Sequence, residues 1–157
     1  TLPGIWRLHI AGNGSARAGL EQLAADLGIA DRVHFDGTIA SSDVVTYLQQ
    51  MDVLVLASRT LPNWKEQFGR VLVEAMACET AVVGAQSGEI PNVIADAGLT
   101  FPEDDVAALH DQLQRLIQSE TLRDELGKAG RQRVLNHYTQ AQIAAQTVAV
   151  YRGMVGN

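Results

Sequence analysis

Two glutamates bracket one short segment of the sequence, and their spacing could serve a bound ligand. Glu66 and Glu74 stand eight positions apart in EQFGRVLVE, and the run AMACETAVV follows at once. A carboxylate inside an apolar run costs free energy unless a partner satisfies it, and that partner can come from outside the protein. On one continuous helix the two residues would lie about 12 Å apart along the axis and about 80° apart around it. With that geometry they would contact different atoms of one elongated ligand.

A helix start lies between the two carboxylates. Apolar residues recur at helical spacing in RVLVEAMA, which predicts a helix that begins at Arg70. The free N–H groups of its first turn, with the helix dipole behind them, form an anion site, and Gly69 would let a phosphate approach the backbone. The same residues fit a second interpretation, in which Glu74 is a solvated surface residue and Glu66 is an N-cap or dipole partner of the helix.

Two further loops could face a ligand. GNGSAR places Gly12 and Gly14 at a strand-to-helix turn, but Arg17 stands where a dinucleotide fingerprint needs a third glycine, so that motif is excluded. The two glycines fit either a tight turn or a phosphate-binding loop. SGEIP places Gly88 just before a short helix, where exposed amides would face those of the Gly69 loop across the top of the sheet. Taken alone, SGEIP is only a turn and a helix start.

The elements that must position these loops alternate between strand and helix. Because the run VLVLA is apolar throughout, the third strand is expected to be covered on both faces. Ser15 and Thr139 are predicted N-caps of the first and last helices, and Gly28 is predicted to end the first. The alternation predicts an α/β fold with a doubly wound, mostly parallel, Rossmann-like sheet and additional C-terminal helices. The predicted strands cover residues 6–11, 33–36, 53–57, 81–84 and 99–101.

Composition limits the classes of function. With 157 residues, 46% of them hydrophobic, the chain 1–157 is expected to form one domain with one substantial core. Its net charge of −6, without a block of basic residues, argues against a nucleic-acid-binding surface. The single cysteine, Cys78, excludes an internal disulfide framework and fits a reducing compartment. No apolar stretch is long enough for a membrane span, and the start at Thr1 leads us to expect a piece of a longer chain.

The remaining polar residues give weaker signals. The four histidines are scattered, and none has metal-ligand spacing with an acid or with Cys78. His34, on a short strand, fits a core histidine better than a ligand. The triplet Glu103-Asp104-Asp105 follows a proline and favours a helix N-terminus over a metal site. No serine, cysteine or histidine sits in a nucleophile elbow.

Together these motifs resemble the nucleotide-binding C-terminal domain of retaining GT-B glycosyltransferases of the group 1 family, which includes many bacterial cell-envelope and polysaccharide enzymes. The resemblance rests on GNGS, RVHFDGTI, DVLVLAS, the Glu66-to-Glu74 motif with AMAC, and SGEIPNVIADAGLTF, in family order and with family-like spacing. It extends to about residue 138, and the last helix is similar to the one that packs back toward the partner domain in this fold.

The resemblance implies that the chain binds a nucleotide-diphosphate sugar, the donor, for transfer to an acceptor with retention of configuration. Glu74 is then expected to hold the ribose hydroxyls and Glu66 the sugar hydroxyls, because a carboxylate can accept both hydrogen bonds of a diol. The implied transfer is a front-face attack assisted by the leaving group, with no metal or cofactor required. The residues implied for further donor contacts, largely through the backbone, are Gly12, Gly14, Phe35, Ile39, Ser41, Gln67, Phe68, Gly69, Arg70, Val71, Gly88, Glu89 and Ile90.

The sequence departs from the family pattern in several places. The family places an Arg and a Lys against the diphosphate on a segment before GNGS, and an acceptor-binding N-terminal domain precedes that segment. Because this chain begins after both, we expect it to be inactive alone. Glu79 stands where the family mostly has Gly, Ala81 where it often has Pro, and Asn92 where Glu is frequent. If Glu79 is a left-handed residue after the helix, it costs about 1 kcal/mol there.

Two other functions fit the same residues. One is a degenerate nucleotide-binding module without transfer activity, which loss of the Arg/Lys pair from the full-length protein would favour. The other is a nucleotide-sugar epimerase of the same fold, which would release nucleotide diphosphate without an acceptor. The expected partners are the nucleotide-sugar donor and the N-terminal domain of the same enzyme, with no nucleic acid and no membrane contact from this segment. The expected location is cytoplasmic, with or without peripheral attachment of the full enzyme to a membrane.

Overall fold

The chain forms two compact units in a computed structural model that describes residues 2–155. The first unit is Pro3–Tyr47, and the second begins at Leu48 and contains the remaining strands and helices. In chain order the elements are β1 (Leu8–Ala11), α1 (Arg17–Asp26), a 3-10 turn (Ala30–Arg32), β2 (Val33–Gly37), α2 (Val44–Leu48), β3 (Val53–Leu56), α3 (Arg70–Ala77), β4 (Ala81–Ala85), α4 (Ile90–Ile94), β5 (Leu99–Phe101), α5 (Val106–Gln118), α6 (Glu120–His137) and α7 (Gln140–Val155).

The first unit contains a two-stranded parallel sheet. β1 pairs with β2 from Leu8 opposite Val33 to Ala11 opposite Gly37, with an irregularity just before Ala11. Directly after β1, the Gly12 amide donates to the Gly37 carbonyl at 2.6 Å. The pairing therefore brings the loops that follow the two strands together at one edge of this sheet.

Helix α1 begins and ends by backbone hydrogen bonds. The expectation that Ser15 caps α1 is wrong: the N-cap is Ala16, which has helical dihedral angles and makes no side-chain cap. The Arg17 amide donates to the Gly14 carbonyl at 3.2 Å, so a backbone turn, rather than a hydroxyl, leads into the helix. Gly28 ends the helix as predicted, with φ of 66° and its amide bonded to the Ala25 carbonyl at 2.9 Å.

The second unit contains a three-stranded parallel sheet in the order β3-β4-β5. Every residue of β4, Ala81–Ala85, is buried, as a central strand with helices on both faces should be. β3 lies at the edge of this sheet and is only half-buried, so the expectation of a strand fully covered on both faces fails for Val53–Leu56 and holds for β4. All strand pairs are parallel and long helices follow β5, which confirms the predicted α/β fold with C-terminal helices.

The ends of the predicted helices in this unit are largely confirmed. Asp105 caps α5 by accepting from the Ala108 amide at 2.8 Å. Thr139 accepts from the Gln142 amide at 3.3 Å at the start of α7. Helix α3 ends at Cys78 as C-cap, and the next residue, Glu79, is left-handed with φ of 62°. None of the helices within residues 2–155 is long and apolar enough to cross a membrane.

Helices α3 and α6 pack closely because α6 carries glycines at the contact. Leu72 and Met76 of α3 are fully buried. A Cβ at Gly127 would collide with the Glu79 carbonyl oxygen, and a Cβ at Gly130 would lie 2.9 Å from Met76 Cγ. Larger residues at either position would push the helices apart, and α3 would then no longer hold its first turn against the site described below.

Candidate functional site

The site is built from the loops that leave the carboxyl ends of β3, β4 and β5, the edge of a parallel sheet where ligands usually bind. The Thr60 amide and hydroxyl both donate to the Glu103 carboxylate, at 2.7 and 2.6 Å. The Thr60 hydroxyl also lies 3.1 Å from Ser87 Oγ, which is fully buried. These bonds from Thr60 hold the pKa of Glu103 below its ordinary value of 4.5. One threonine thus joins all three loops.

Glu66 lies in the loop before α3, as predicted, and three protein donors orient its carboxylate. Its Oε1 accepts from the amides of Gly69, at 3.0 Å, and Phe68, at 3.4 Å. Its Oε2 accepts from the Ser58 hydroxyl at 3.2 Å. Glu66 therefore satisfies an amide at the start of α3, which is the structural role considered for it from sequence. Because each carboxylate oxygen has two lone pairs, Oε2, which accepts only the bond from Ser58, can still accept a hydrogen bond from a ligand.

Two positions in these loops require glycine, because each has a positive φ and no room for a Cβ atom. Gly69 has φ of 74° and is buried, and a Cβ there would lie 3.0 Å from Leu72 Cδ1. Gly88 has φ of 58°, and a Cβ there would collide with the backbone carbonyl oxygen of Glu66. That same oxygen accepts from the Glu89 amide at 3.1 Å. The SGEIP loop and the Glu66 loop therefore face each other, as predicted, and they do so in direct backbone contact.

An open cavity of about 750 Å³ lies beside these loops. Its walls are the segment 60–67 together with Gly88 and Glu89, so it gathers Glu66, Gln67, Gly88 and Glu89 from the predicted donor-contact residues. Glu89 is exposed, and its Oε2 accepts from Asn92 Nδ2 at 2.9 Å. The cavity wall thus carries two carboxylates, Glu66 and Glu89, which suits a ligand that donates several hydrogen bonds.

Glu74 lies on α3 outside the lining of that cavity. Its Oε1 pairs with Arg70 Nε at 3.3 Å, one helical turn away. The Glu74 side chain is 40% exposed and that of Arg70 is 86% exposed, so both remain open to solvent. Since α3 starts only at Arg70, no single helix carries both glutamates, and their separation is not the one calculated for a continuous helix.

The other predicted contact residues around α3 and α4 differ in which of their groups are open to a ligand. The amides of Arg70 and Val71 lie in the first turn of α3, where no earlier helical carbonyl can accept from them. Ile90 is fully buried beside Gly84, and its amide already donates to the Ser87 carbonyl at 3.1 Å, so neither its side chain nor its amide is open to a ligand. Phe68 is 41% exposed and contacts the Tyr138 ring edge-on at 5.6 Å.

The first unit carries the remaining predicted contacts. A Cβ at Gly12 or Gly14 would meet no atom within 4 Å, so open space borders both glycines, and Gly12 also needs to be glycine because its φ is 118°. The Phe35 carbonyl accepts from Arg17 at 3.4 Å, and the guanidinium lies 5.4 Å from the centre of the Phe35 ring. Ile39 is half-buried and Ser41 is exposed. Sequence reasoning missed Arg17 because it was considered only as the residue that breaks a glycine motif.

A polar cluster in the first unit was also missed. The Asp36 carboxylate accepts from the Tyr47 hydroxyl at 2.7 Å and lies 2.9 Å from His9 Nδ1. Burial and the contact with Asp36 raise the pKa of Tyr47 to about 12, while the bonds from Tyr47 and His9 outweigh burial and lower the pKa of Asp36. His34 is exposed and stacks on His9 with ring centres 4.8 Å apart, so the expectation of a core histidine is wrong. Among the residues that the structure describes, no three acidic, histidine or cysteine side chains could hold a metal ion.

Known proteins match most of this chain. Residues 4–133 match the family described as Glycosyl transferases group 1. The chain is 33% identical over 147 residues to the N-acetyl-alpha-D-glucosaminyl L-malate synthase of Bacillus anthracis, which covers 92% of this chain and 37% of that protein. The chain therefore spans well under half the length of the curated relatives it matches.

Solved structures share the fold. The C-terminal domain of the group 1 family glycosyl transferase LpcC from Francisella tularensis superposes with a TM-score of 0.73 at 22% identity, over 88% of this chain and 89% of that one. Anabaena Alr3699/HepE in complex with UDP superposes with a TM-score of 0.84 at 21% identity, over 97% of this chain and 42% of that one. The chain thus belongs to the group 1 family of glycosyltransferases and has the fold of the C-terminal domain of its GT-B members.

Proposed function

We propose that this chain is the donor-binding part of a glycosyltransferase that moves a sugar from a nucleotide-diphosphate sugar to an acceptor with retention of configuration. The observation that carries the proposal is the Glu66 carboxylate, which three donors fix at the wall of an open cavity and which can still accept from a ligand hydroxyl. Membership of the family supports glycosyl transfer. The UDP in the HepE structure supports a nucleotide diphosphate as part of the donor.

The start of α3 suits the diphosphate. The amides of Arg70 and Val71 lie within its first turn, and the helix dipole adds partial positive charge at this end. The exposed Arg70 guanidinium adds a full positive charge nearby. When the bond from the sugar to the diphosphate breaks, negative charge grows on the departing phosphate oxygens. Groups already aimed at that charge lower the barrier to transfer.

Glu74 is proposed to bind the ribose. Its Oε1 pairs with Arg70 at 3.3 Å, and its side chain is 40% exposed. The pairing engages one carboxylate oxygen and leaves acceptor capacity for the two ribose hydroxyls. Glu66 and Glu74 then contact two different parts of the donor, consistent with their separate surroundings.

Retention is proposed to follow from attack on the face that the diphosphate leaves. Both oxygens of Glu66 are engaged by protein donors, which suits an acceptor of sugar hydroxyls more than a nucleophile that must approach the anomeric carbon. The departing diphosphate can assist the incoming hydroxyl, so no protein nucleophile, metal or cofactor is required in this proposal. The helix start supplies the charge stabilisation.

The proposal for the whole enzyme goes further. We expect this chain alone to bind the donor without transferring the sugar, because it spans only 37% of its relative from Bacillus anthracis. The acceptor would bind to another part of the same enzyme. A cytoplasmic enzyme of polysaccharide biosynthesis, with or without peripheral attachment to a membrane, remains the proposed setting.

The test is an NMR titration of this chain with UDP, GDP and ADP in turn, in which backbone amide shifts are followed. We expect one nucleotide to shift amides at Gly69 and Glu74. We expect Glu74→Ala to weaken the binding of that nucleotide by about 1–3 kcal/mol, the usual effect of losing a charged hydrogen-bonding group. Glu125→Ala, which removes an exposed carboxylate from α6, serves as the control and should bind like the parent. Equal affinity of Glu74→Ala and the parent would contradict the ribose assignment.

A further inference from the structure

A short hairpin carries a tryptophan to the wall of the site cavity. The Leu61 amide donates to the Trp64 carbonyl at 2.8 Å, and the Trp64 amide donates back to the Leu61 carbonyl at 3.2 Å. Pro62 and Asn63 form the turn between them. The proline ring fixes its own φ at a value that suits the first central position of a turn. Trp64 is therefore held by a closed turn two residues before Glu66.

Trp64 is exposed although it is a large aromatic residue. It is 48% exposed and lines the cavity with Glu66 and Glu89. Tryptophan has the largest apolar surface of any side chain, so an indole left open beside two carboxylates is available to a ligand rather than used to stabilise the core. A cavity with an aromatic surface and a few well-placed polar groups is typical of a small-molecule site.

The charges on the cavity wall narrow the class of ligand. Lys65 is the one cation among the lining residues, against the two carboxylates of Glu66 and Glu89. The net negative charge of the cavity wall would repel a phosphate-rich ligand. An apolar ligand would leave the two carboxylates without hydrogen-bond partners. A neutral ring with several hydroxyls meets both demands, because its hydroxyls donate to the carboxylates and its C–H face covers the indole.

We propose that Trp64 is a specificity-determining residue, on which the pyranose ring of the donor sugar stacks while Glu66 and Glu89 accept from its hydroxyls. The inference rests on the proposed function and adds the sugar-ring subsite to it. Sugars whose C–H face is continuous bind best on such a surface. Sugars with an axial hydroxyl on that face bind more weakly.

The experiment compares nucleotide with nucleotide-sugar on this chain. The first arm measures the dissociation constants of UDP, GDP and ADP by calorimetry for the parent, Trp64→Ala and Trp64→Phe. The second arm repeats the measurement with a sugar of the nucleotide that binds: UDP-glucose, GDP-mannose or ADP-glucose. We expect Trp64→Ala to weaken the nucleotide-sugar about three- to tenfold while changing the nucleotide alone less than about twofold, and Trp64→Phe to keep most of the affinity.

A spectroscopic readout separates stacking from a change in fold. The chain has two tryptophans, so a Trp6→Phe background leaves Trp64 as the only indole. We expect its indole N–H resonance to shift with the nucleotide-sugar and not with the nucleotide. Tyr151→Ala removes an aromatic residue of α7 that is 65% exposed and should leave both affinities unchanged.

Three outcomes would overturn the inference. Equal weakening of nucleotide and nucleotide-sugar by Trp64→Ala would show that the hairpin only supports the loop. Unchanged affinity for both ligands, with a silent indole resonance, would assign the exposed indole to another partner, such as a second protein. Binding of no nucleotide by the parent would remove the proposed function itself, and the first arm reveals that failure before any sugar is added.

Discussion

Replacing Glu79 by glycine is expected to stabilise the unit that begins at Leu48. Glu79 follows the C-cap of α3 with φ of 62°, a region that L-residues other than glycine rarely adopt. The Thr80 amide donates to the Ala75 carbonyl at 3.0 Å, and the Glu79 amide donates to the Met76 carbonyl at 3.1 Å. This is the Schellman arrangement, in which glycine normally takes the position of Glu79.

The expected gain is small because three contributions oppose one another. Release of the left-handed strain contributes about 1–2 kcal/mol. The greater backbone freedom of glycine in the unfolded chain removes about 0.4–1 kcal/mol. Glu79 also pairs with Arg131 Nε at 3.5 Å, and because both side chains are about half exposed, losing the pair costs about 0.3 kcal/mol. The net gain is about 0.5 kcal/mol, or about 1–2 °C in Tm for a chain of this size.

Two controls isolate the backbone contribution. Glu79→Gln keeps the strained backbone and removes the ion pair, so it should be slightly less stable than the parent. Gly28 ends α1 with the same pair of backbone bonds and φ of 66°, and a Cβ there would meet no atom within 4 Å. Gly28→Ala should therefore destabilise the first unit by about 0.5–1 kcal/mol through conformation alone.

Urea denaturation, followed by tryptophan fluorescence, measures the free energy of unfolding of each unit. With Trp6 replaced by phenylalanine, Trp64 is the only tryptophan and reports unfolding of the second unit. With Trp64 replaced instead, Trp6 reports the first. If Glu79→Gly were no more stable than Glu79→Gln, the left-handed strain would be absent and the helix end would differ from the one described.

The other predictions concern the loops of the site. Because the pKa of Glu103 is lowered in the fold, its bonds to Thr60 stabilise the protein above its ordinary pKa of 4.5, and this contribution disappears as pH falls through the lowered pKa. Glu103→Gln should thus be less stable than the parent at pH 7, with the difference in urea midpoint shrinking below pH 4.5; a constant difference would contradict it. Gly88→Ala should cost about 2–4 kcal/mol, since it combines a positive φ with a collision against the Glu66 backbone. Unchanged stability in the same assay would show that the loop can move aside.

Local sequence patterns were enough to predict the elements. Each predicted strand lies within two residues of its observed bounds, because apolar runs and turn residues mark strands without knowledge of their neighbours. Gly28, Asp105 and Thr139 were read correctly because capping is decided within one turn. Ser15 was not, since a competing backbone turn at Gly14 leads into α1.

Contacts between distant loops could not be predicted in the same way. Thr60 bonds Glu103 across 43 positions of sequence, and neither residue carries a pattern that points to the other. The reason for Gly88 is equally remote, because the obstruction is the Glu66 carbonyl. How far β3 is buried also depends on whether it is a central or an edge strand, which an apolar run does not specify. A signal was available for Glu103, since it lies two residues after the end of β5, at the edge of the sheet where loops converge.

The structure also decides which glutamate gives the cleaner test of donor binding. Glu66 holds the Gly69 amide and the Ser58 hydroxyl, so removing its carboxylate disturbs the start of α3 along with any contact to the sugar. Glu66→Gln is no better, because the glutamine side chain has one acceptor oxygen and would turn its NH₂ group toward one of those donors. Glu74 pairs only with the exposed Arg70 side chain among the contacts described, at 3.3 Å, and its loss leaves the loop intact. A binding defect in Glu74→Ala therefore reports on the ligand, whereas a defect at Glu66 combines ligand and fold.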